Sequence, residues 1–182
     1  NEKFDRGAWE KTYPVFSDCP LWIGELPDAA VQEMELAVVS PGIPLDTPAI
    51  LKLQAAGVPV VGEAELAYRF EKGRVAAITG TNGKTTTTTL VGGILKKCYP
   101  EVFVVGNIGI PYTSIVEKTT EQTVTVTEIS SFQLETMETF HPSVSAILNI
   151  TPDHLARHGS FEAYIDAKKR CFENMESSYI VL

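Results

Sequence analysis

Apolar and polar positions along this chain switch repeatedly between the period of a strand and the period of a helix. Leu36-Ala37-Val38-Val39 is a short apolar run stopped by Ser40-Pro41-Gly42-Ile43-Pro44. Thr47 before Pro48 then predicts a helix start, with Thr47 as N-cap, Pro48 in the first helical position and Ala49 to Ala56 closed by Gly57. Val58-Pro59-Val60-Val61 predicts a second strand and Glu63 to Phe70 a second helix; earlier signals are weak, with one short helix expected from Asp28 to Glu35. Glu71-Lys72-Gly73-Arg74 is polar and marks a boundary, after which the alternation restarts. Strands are predicted at Val75 to Ile78, Glu101 to Val105 and Thr123 to Thr127, the last running into Glu128, and a helix from Thr85 to Lys97 that ends in two lysines favourable to its dipole. Val144 to Ile150 is almost continuously apolar, which predicts a strand covered on both faces. Strand and helix in alternation define an α/β protein with parallel strands, in two portions, 1–72 and 73–182. The opening at Asn1 without Met, and the strand-like Tyr179-Ile180-Val181-Leu182 with nothing after it, read as a fragment.

Charge narrows the partners. Fifteen Lys and Arg against 23 Asp and Glu leave a formal charge of −8, which argues against nucleic acid or an anionic membrane as the main partner. A phosphate ligand would therefore need a local site. Apolar runs fall short of a membrane span. Cys19, Cys98 and Cys171 are odd in number and far apart, suggesting neither a disulfide framework nor a zinc knuckle, and a reducing cytoplasm is expected.

That local site is carried by Ala77-Ile78-Thr79-Gly80-Thr81-Asn82-Gly83-Lys84-Thr85-Thr86, an apolar strand that passes through two glycines into Leu90, Val91, Ile94 and Leu95 at helical spacing. Gly80 and Gly83 let backbone N–H groups approach an anion, Lys84 brings a point charge to β/γ-phosphate oxygens, and the Thr85 hydroxyl suits Mg2+. The general phosphate-loop pattern asks for Gly where this chain has Ile78.

Ligands of open parallel sheets sit beyond the carboxyl ends of the strands. Glu128 and His154 fall at two such ends, and Glu128 could hold Mg2+ where other phosphate-loop enzymes use Asp. Alone, Glu128 reads equally as a solvent carboxylate, and His154 more often as a cap or core residue. His141 and His158 read as structural or surface residues. Ser160 can cap a helix in which Phe161, Tyr164, Ile165, Lys168 and Phe172 share the apolar stripe. A lysine on a buried face must be paired, neutral or modified, unless it snorkels.

Taken together, these residues resemble the Mur ligases, ATP-dependent enzymes that build the peptide of bacterial peptidoglycan and whose phosphate loop lacks the early glycine. Ser40-Pro41-Gly42-Ile43, Val105-Gly106-Asn107-Ile108-Gly109, Glu128-Ile129-Ser130-Ser131-Phe132-Gln133-Leu134-Glu135 and Asn149-Ile150-Thr151-Pro152-Asp153-His154-Leu155 are similar, in order, to the branch that adds D-glutamate. The likeness runs from about residue 36 to the end. It implies a parallel, Rossmann-like part of a UDP-substrate domain over 1–72, part of the central ATP-binding domain over 73–182, and no C-terminal domain. Gly80, Thr81, Asn82, Gly83, Lys84, Thr85 and Thr86 would bind ATP phosphates. Thr85, Glu128, His154 and Lys168 would serve two Mg2+ sites, Lys168 as a carbamylated lysine, with Lys84, His154 and Lys168 catalytic. Gly42, Asn107, Ser130 and Gln133 would meet UDP-N-acetylmuramoyl-L-alanine.

The chain departs from the family's pattern in lacking its opening strand and Gly-rich loop, and in carrying Ala156 where the family usually has Asp. The implied reaction is amide formation from UDP-N-acetylmuramoyl-L-alanine and D-glutamate through an acyl phosphate, by a monomer engaging neither nucleic acid nor membrane. A diaminopimelate- or lysine-adding ligase, a folylpolyglutamate synthase or a nucleotide-binding module without ligase chemistry are the alternatives. Phe132-Gln133-Leu134-Glu135 disfavours the first two, and the absence of an Asn-Lys-x-Asp motif weakens a GTPase.

Overall fold

A computed structural model describes residues 4–175, so the strand expected at Tyr179–Leu182 lies outside the described residues. The chain forms two compact units, one of residues up to Ala37 with Leu45–Pro59, the other of Val38–Pro44 with the chain from Val60 onward. In the first, α1 (Arg6–Thr12) starts at Asp5, whose carboxylate accepts the Ala8 N–H at 3.1 Å. Trp9 of α1 stacks on Phe16 with ring centres 5.9 Å apart. Helix α2 (Asp28–Glu33) and helix α3 (Pro48–Ala55) complete this unit, tied by Lys52, whose ammonium donates to Leu26 O and pairs with Asp28, both at 2.6 Å. Thr47 occupies the N-cap position of α3, but its side chain makes no capping bond; the fixed φ of Pro48 sets the start instead. Strand β1 (Ala37–Val39) pairs with β2 (Val60–Gly62).

In the second unit, α4 (Glu63–Phe70) leads to a parallel sheet of β3 (Arg74–Thr79), β4 (Glu101–Gly106), β5 (Thr123–Glu128) and β6 (Val144–Ile147), in the order β4-β5-β3-β6. The register sets Glu128 opposite both Ile78 and Gly106, and Thr79 opposite Ile147. The strands therefore end nearly level, and the loop after the inner strand β3 emerges between Glu128 and the segment following β6.

All six residues of β5, Thr as well as Val, are buried, with the Thr125 hydroxyl donating to Glu71 at 2.8 Å. One expectation about the sheet needs correction: β6 is not covered on both faces. It is shorter than expected, stands at the end of the strand order, and leaves Val144 half exposed. After Ile147 the chain abandons the sheet because its backbone is needed elsewhere, Leu148 N–H donating to Thr79 O and Asn149 O accepting from Thr81 N–H, both at 3.0 Å.

Helix α5 (Lys84–Leu95) approaches the sheet through small residues. Thr88 and Gly92 are buried while Leu90 and Ile94 remain exposed; a Cβ on Gly92 would strike Val104. The helix stops at Leu95, so Lys96 is its C-cap and no basic residue occupies the last turn. Helices α6 (Ser131–Leu134), α7 (Leu155–His158) and α8 (Phe161–Lys169) follow. The core gathers Val75, Ala77, Val105, Tyr112, Ile129, Leu134 and Phe140.

Gly106 holds the end of β4 against β5. Its φ is +95°, and a Cβ there would run into the Glu128 carbonyl. Gly106→Ala is therefore expected to cost about 2–4 kcal/mol in chemical denaturation, from backbone strain added to overpacking. A loss under about 0.5 kcal/mol would show that the strand ends are not held this tightly.

Candidate active site

Where β3 ends, Gly80 (φ +147°) and Gly83 (φ +81°) carry the chain through backbone conformations that L side chains rarely adopt and into the first turn of α5. A Cβ on Gly80 would crowd Leu148, so the glycine also permits β3 and β6 to close around the loop. The loop is clamped from the β6 side. Asn149 accepts the Asn82 N–H at 2.9 Å and donates to Asn82 O at 3.0 Å. The Thr81 hydroxyl accepts the Thr151 N–H at 3.0 Å and lies 3.1 Å from the Tyr164 hydroxyl.

Two ammonium groups meet at this loop. Lys84 Nζ donates to Gly80 O at 3.0 Å and Thr81 O at 2.9 Å. Lys168 Nζ donates to the same Gly80 carbonyl at 2.8 Å, with Thr79 Oγ1 at 3.4 Å. Lys168 is 1% exposed, and its ammonium lies 4.7 Å from the centre of the Tyr164 ring. It belongs to α8, which Ser160 caps by accepting the Ala163 N–H at 3.1 Å. Burial, then the like charge of Lys84, lowers the Lys168 pKa from 10.5 to about 8.

On the other side of the loop, the buried Glu128 accepts from the Thr85 hydroxyl at 2.7 Å and from the Asn107 amide at 2.9 Å. Beside it, Ser130 caps α6 through a capping box: its hydroxyl accepts the Gln133 N–H at 3.2 Å, and the Gln133 side chain accepts the Ser130 N–H at 2.9 Å. His154 precedes α7 with φ 52°, the one non-glycine residue in left-handed backbone among the described residues. Histidine tolerates that region better than most residues, and such outliers gather at functional sites. Its ring is half exposed, 5.0 Å from Phe132, and 3.6 Å from Asp153.

These residues enclose a cleft of about 270 Å³ lined by Lys84, Asn107, Ser130, Ser131, Phe132, His154, Tyr164 and Lys168. Of the residues singled out in the sequence, Lys84, Asn107, Ser130, His154 and Lys168 share its wall, and Asn107 links it to Glu128 and through Glu128 to Thr85. Gln133 is not in the wall, its carboxamide being taken up by Ser130. Gly42 stands in a separate turn, beside the Ile43 carbonyl that Arg157 reaches at 3.3 Å. Asn82, Thr86 and Ala156 are exposed.

Sequence reasoning missed the clamp residues Asn149, Thr151 and Tyr164. Tyr164 sat on the same apolar stripe as Lys168, which could have marked it; Asn149 carried only the signal of a polar residue ending an apolar strand. Hard oxygen donors adjoin at Thr85 and Glu128, the kind Mg2+ takes together with phosphate oxygens. Among the described residues no three His, Cys, Asp or Glu side chains converge on a point.

A glycine loop on an inner parallel strand, a helix N-terminus and a loop lysine define the chain as a phosphate-loop α/β protein. It belongs to the Mur ligase family. Residues 78–182 match the Mur ligase middle domain, and residues 6–62 match the MurD-like N-terminal domain of Mur ligases. The chain is 51% identical to a UDP-N-acetylmuramoylalanine–D-glutamate ligase of Lachnoclostridium phytofermentans, over 99% of this chain and 42% of that protein. It is 53% identical to one of Lachnospira eligens, over 96% and 38%. The chain thus spans about two-fifths of the length of these relatives. Among solved structures, UDP-N-acetylmuramate-alanine ligase MurC of Thermotoga maritima aligns with a TM-score of 0.51 at 26% identity, over 80% of this chain and 35% of that one. MurF ligase of Thermotoga maritima in complex with ADP aligns at 0.52 and 18%, over 83% and 44%, and shares the fold.

Because Lys168 binds its proton less tightly when folded, the unfolded chain carries more protons between about pH 8 and 10.5. Its contribution to stability therefore rises through that window, and below it the cost of the buried cation is fully present. In bicarbonate-free buffer, Lys168→Met is expected to abolish this rising limb in denaturation curves measured across the window. An unchanged limb would show that Lys168 is not its source.

Proposed function

We propose that the full-length protein bearing this chain is an ATP-dependent ligase that adds D-glutamate to UDP-N-acetylmuramoyl-L-alanine in peptidoglycan synthesis. One observation carries the reading: the phosphate-loop lysine and a buried lysine share the Gly80 carbonyl beside a cleft also lined by Asn107, Ser130 and His154. The D-glutamate ligases that match nearly the whole chain at 51–53% identity support the choice of substrates. Residues 1–72 are then part of the UDP-substrate domain and 73–182 part of the ATP-binding domain.

In this reading the alanyl carboxylate attacks the γ-phosphorus of ATP, ADP departs, and an acyl phosphate forms. The D-glutamate nitrogen then attacks the acyl carbon, phosphate leaves, and the nitrogen loses its proton. The chain's part is chiefly positioning and charge. Gly80, Thr81, Asn82, Gly83, Lys84, Thr85 and Thr86 hold the phosphates, and Lys84 offsets the negative charge that gathers as two anions approach. Asn107 and Ser130 face the muramoyl substrate, Gln133 acts through Ser130, and Gly42 lies near the uridine diphosphate. Thr85 and Glu128 would hold one Mg2+, and His154 with a carbamylated Lys168 a second. Mg2+, when bound, supplies further neutralisation of the phosphate oxygens. A monomer in the cytoplasm completes the reading; the free Cys19, Cys98 and Cys171 suit a reducing compartment.

In the full-length enzyme, Lys84→Ala and Lys168→Ala are each expected to lower D-glutamate-dependent ADP release by at least about 100-fold, the scale of losing one preorganised charge. Bicarbonate or a short carboxylic acid is expected to restore the Lys168→Ala enzyme in part. A fully active Lys168→Ala would remove the carbamate, and stimulation by diaminopimelate or lysine in place of D-glutamate would reassign the enzyme within the family.

A further inference from the structure

Behind the cleft wall lies a polar chain that the reaction above does not use. Ser131 opens α6, is 3% exposed and lines the cleft. Its Oγ lies 3.0 Å from His158 Nε2, and His158 Nδ1 lies 3.4 Å from Glu135 Oε1. Glu135 is fixed in turn by Arg157 at 2.8 Å. The His158 side chain is 4% exposed and is not in the cleft wall; its ring rests 5.2 Å from the Tyr164 ring and 5.5 Å from the Phe132 ring.

A carboxylate attracts a proton and donates none, so the Glu135 carboxylate 3.4 Å from Nδ1 favours the neutral His158 tautomer with its proton there. Nε2 then carries a lone pair, and the Ser131 hydroxyl must donate to it. The hydroxyl hydrogen is thereby used up, and what Ser131 retains for the cleft is lone pairs. We propose that His158, oriented by Glu135, is a positioning residue that fixes Ser131 as a hydrogen-bond acceptor for an N–H group of the substrates. The donor is an amide N–H of the acid substrate or the amine of the incoming amino acid.

The surroundings favour the neutral ring. Burial is the largest influence lowering the His158 pKa, and His154, Arg157 and Lys168 lower it further, with Glu135 opposing them. These are the charged groups that face the ring from α6, α7 and α8. The inference rests on the ligase reading for the identity of the donor, but not for the hydrogen-bond arrangement.

In the full-length enzyme, Ser131→Ala and His158→Asn are expected to raise one amino-acid or acid-substrate KM about fivefold to tenfold, the scale of one neutral hydrogen bond. The KM for ATP should stay within about twofold, since the phosphate loop is untouched. A shift in the D-glutamate KM identifies the amine, and a shift in the KM of the UDP-linked acid identifies its amide. His158→Gln, whose carboxamide oxygen can replace Nε2 as acceptor, should recover most of the loss. The Ser131→Ala/His158→Asn double variant should be no worse than either single one. An unchanged Ser131→Ala enzyme, or losses that multiply, would overturn the proposal. Nitrogen NMR of histidine-labelled full-length protein reads the tautomer independently of turnover. A proton on Nδ1, with an Nε2 resonance that moves in Ser131→Ala, supports the arrangement; a proton on Nε2 overturns it. If the enzyme shows no amino-acid-dependent ADP release, the ligase reading fails and the tautomer still decides the hydrogen bond.

Discussion

The Gly80 carbonyl is where the electrostatics of this site converge. It accepts from Lys84 and from Lys168 at once, placing two cations close together at a largely buried point. Burial disfavours the charged form of Lys168, the like charge of Lys84 adds to this, and the depressed pKa of Lys168 records both costs. Partial compensation comes from the Thr81 carbonyl, the Thr79 hydroxyl and the face of the Tyr164 ring. None of these is an anion. Asp153 is the carboxylate whose charge opposes the depression at Lys168, and Glu128 is occupied with Thr85 and Asn107. The loop is thus a positive site whose electrostatics are completed by negative groups that bind or form there, which is what a site for phosphates requires.

Holding this arrangement falls to the sheet. Parallel pairing of β3 with β5 and β6 levels Glu128, Gly80 and Leu148 at one edge. The Asn149 and Thr151 contacts to the loop then fix its backbone without occupying the N–H groups of Gly83 and Lys84. Gly106 permits the close approach of β4 that delivers Asn107 to Glu128. The same backbone hydrogen bonds that build the fold therefore set the spacing of the charged groups.

How much of this could be read from the residues follows from the physics of each signal. The loop was legible because Gly-Lys-Thr between an apolar strand and a helix has few other uses, and Lys168 because a cation on an apolar stripe is costly. The α/β alternation was plain for the same reason: each period is dictated by local burial. What stayed hidden depended on relations between distant segments. Exposure of Val144 follows from strand order, and burial of Thr123, Thr125 and Thr127 from what packs on β5. The inward face of α5 is chosen by how closely Thr88 and Gly92 let it approach β4, and Leu90 and Ile94 lose that competition. His158 read only as a structural or surface residue because neither Ser131 nor Glu135 announces, by spacing, that a helix from another part of the chain will set an imidazole between them.

Burial, with the repulsion at Gly80 added to it, bears on the proposed modification of Lys168. Only a neutral amine attacks carbon dioxide, the nitrogen bonding to carbon and one proton leaving to give a carbamate. With its pKa near 8, Lys168 is unprotonated in about one molecule in ten at neutral pH, against about one in several thousand for an ordinary lysine. Burial does most to free the amine and Lys84 adds to it; the same Lys84 would then favour the product, because a carbamate beside an ammonium replaces repulsion with attraction. A lysine at this position on a solvent-exposed helix would lack both advantages, so burial against the phosphate loop is the condition on which the proposed modification depends.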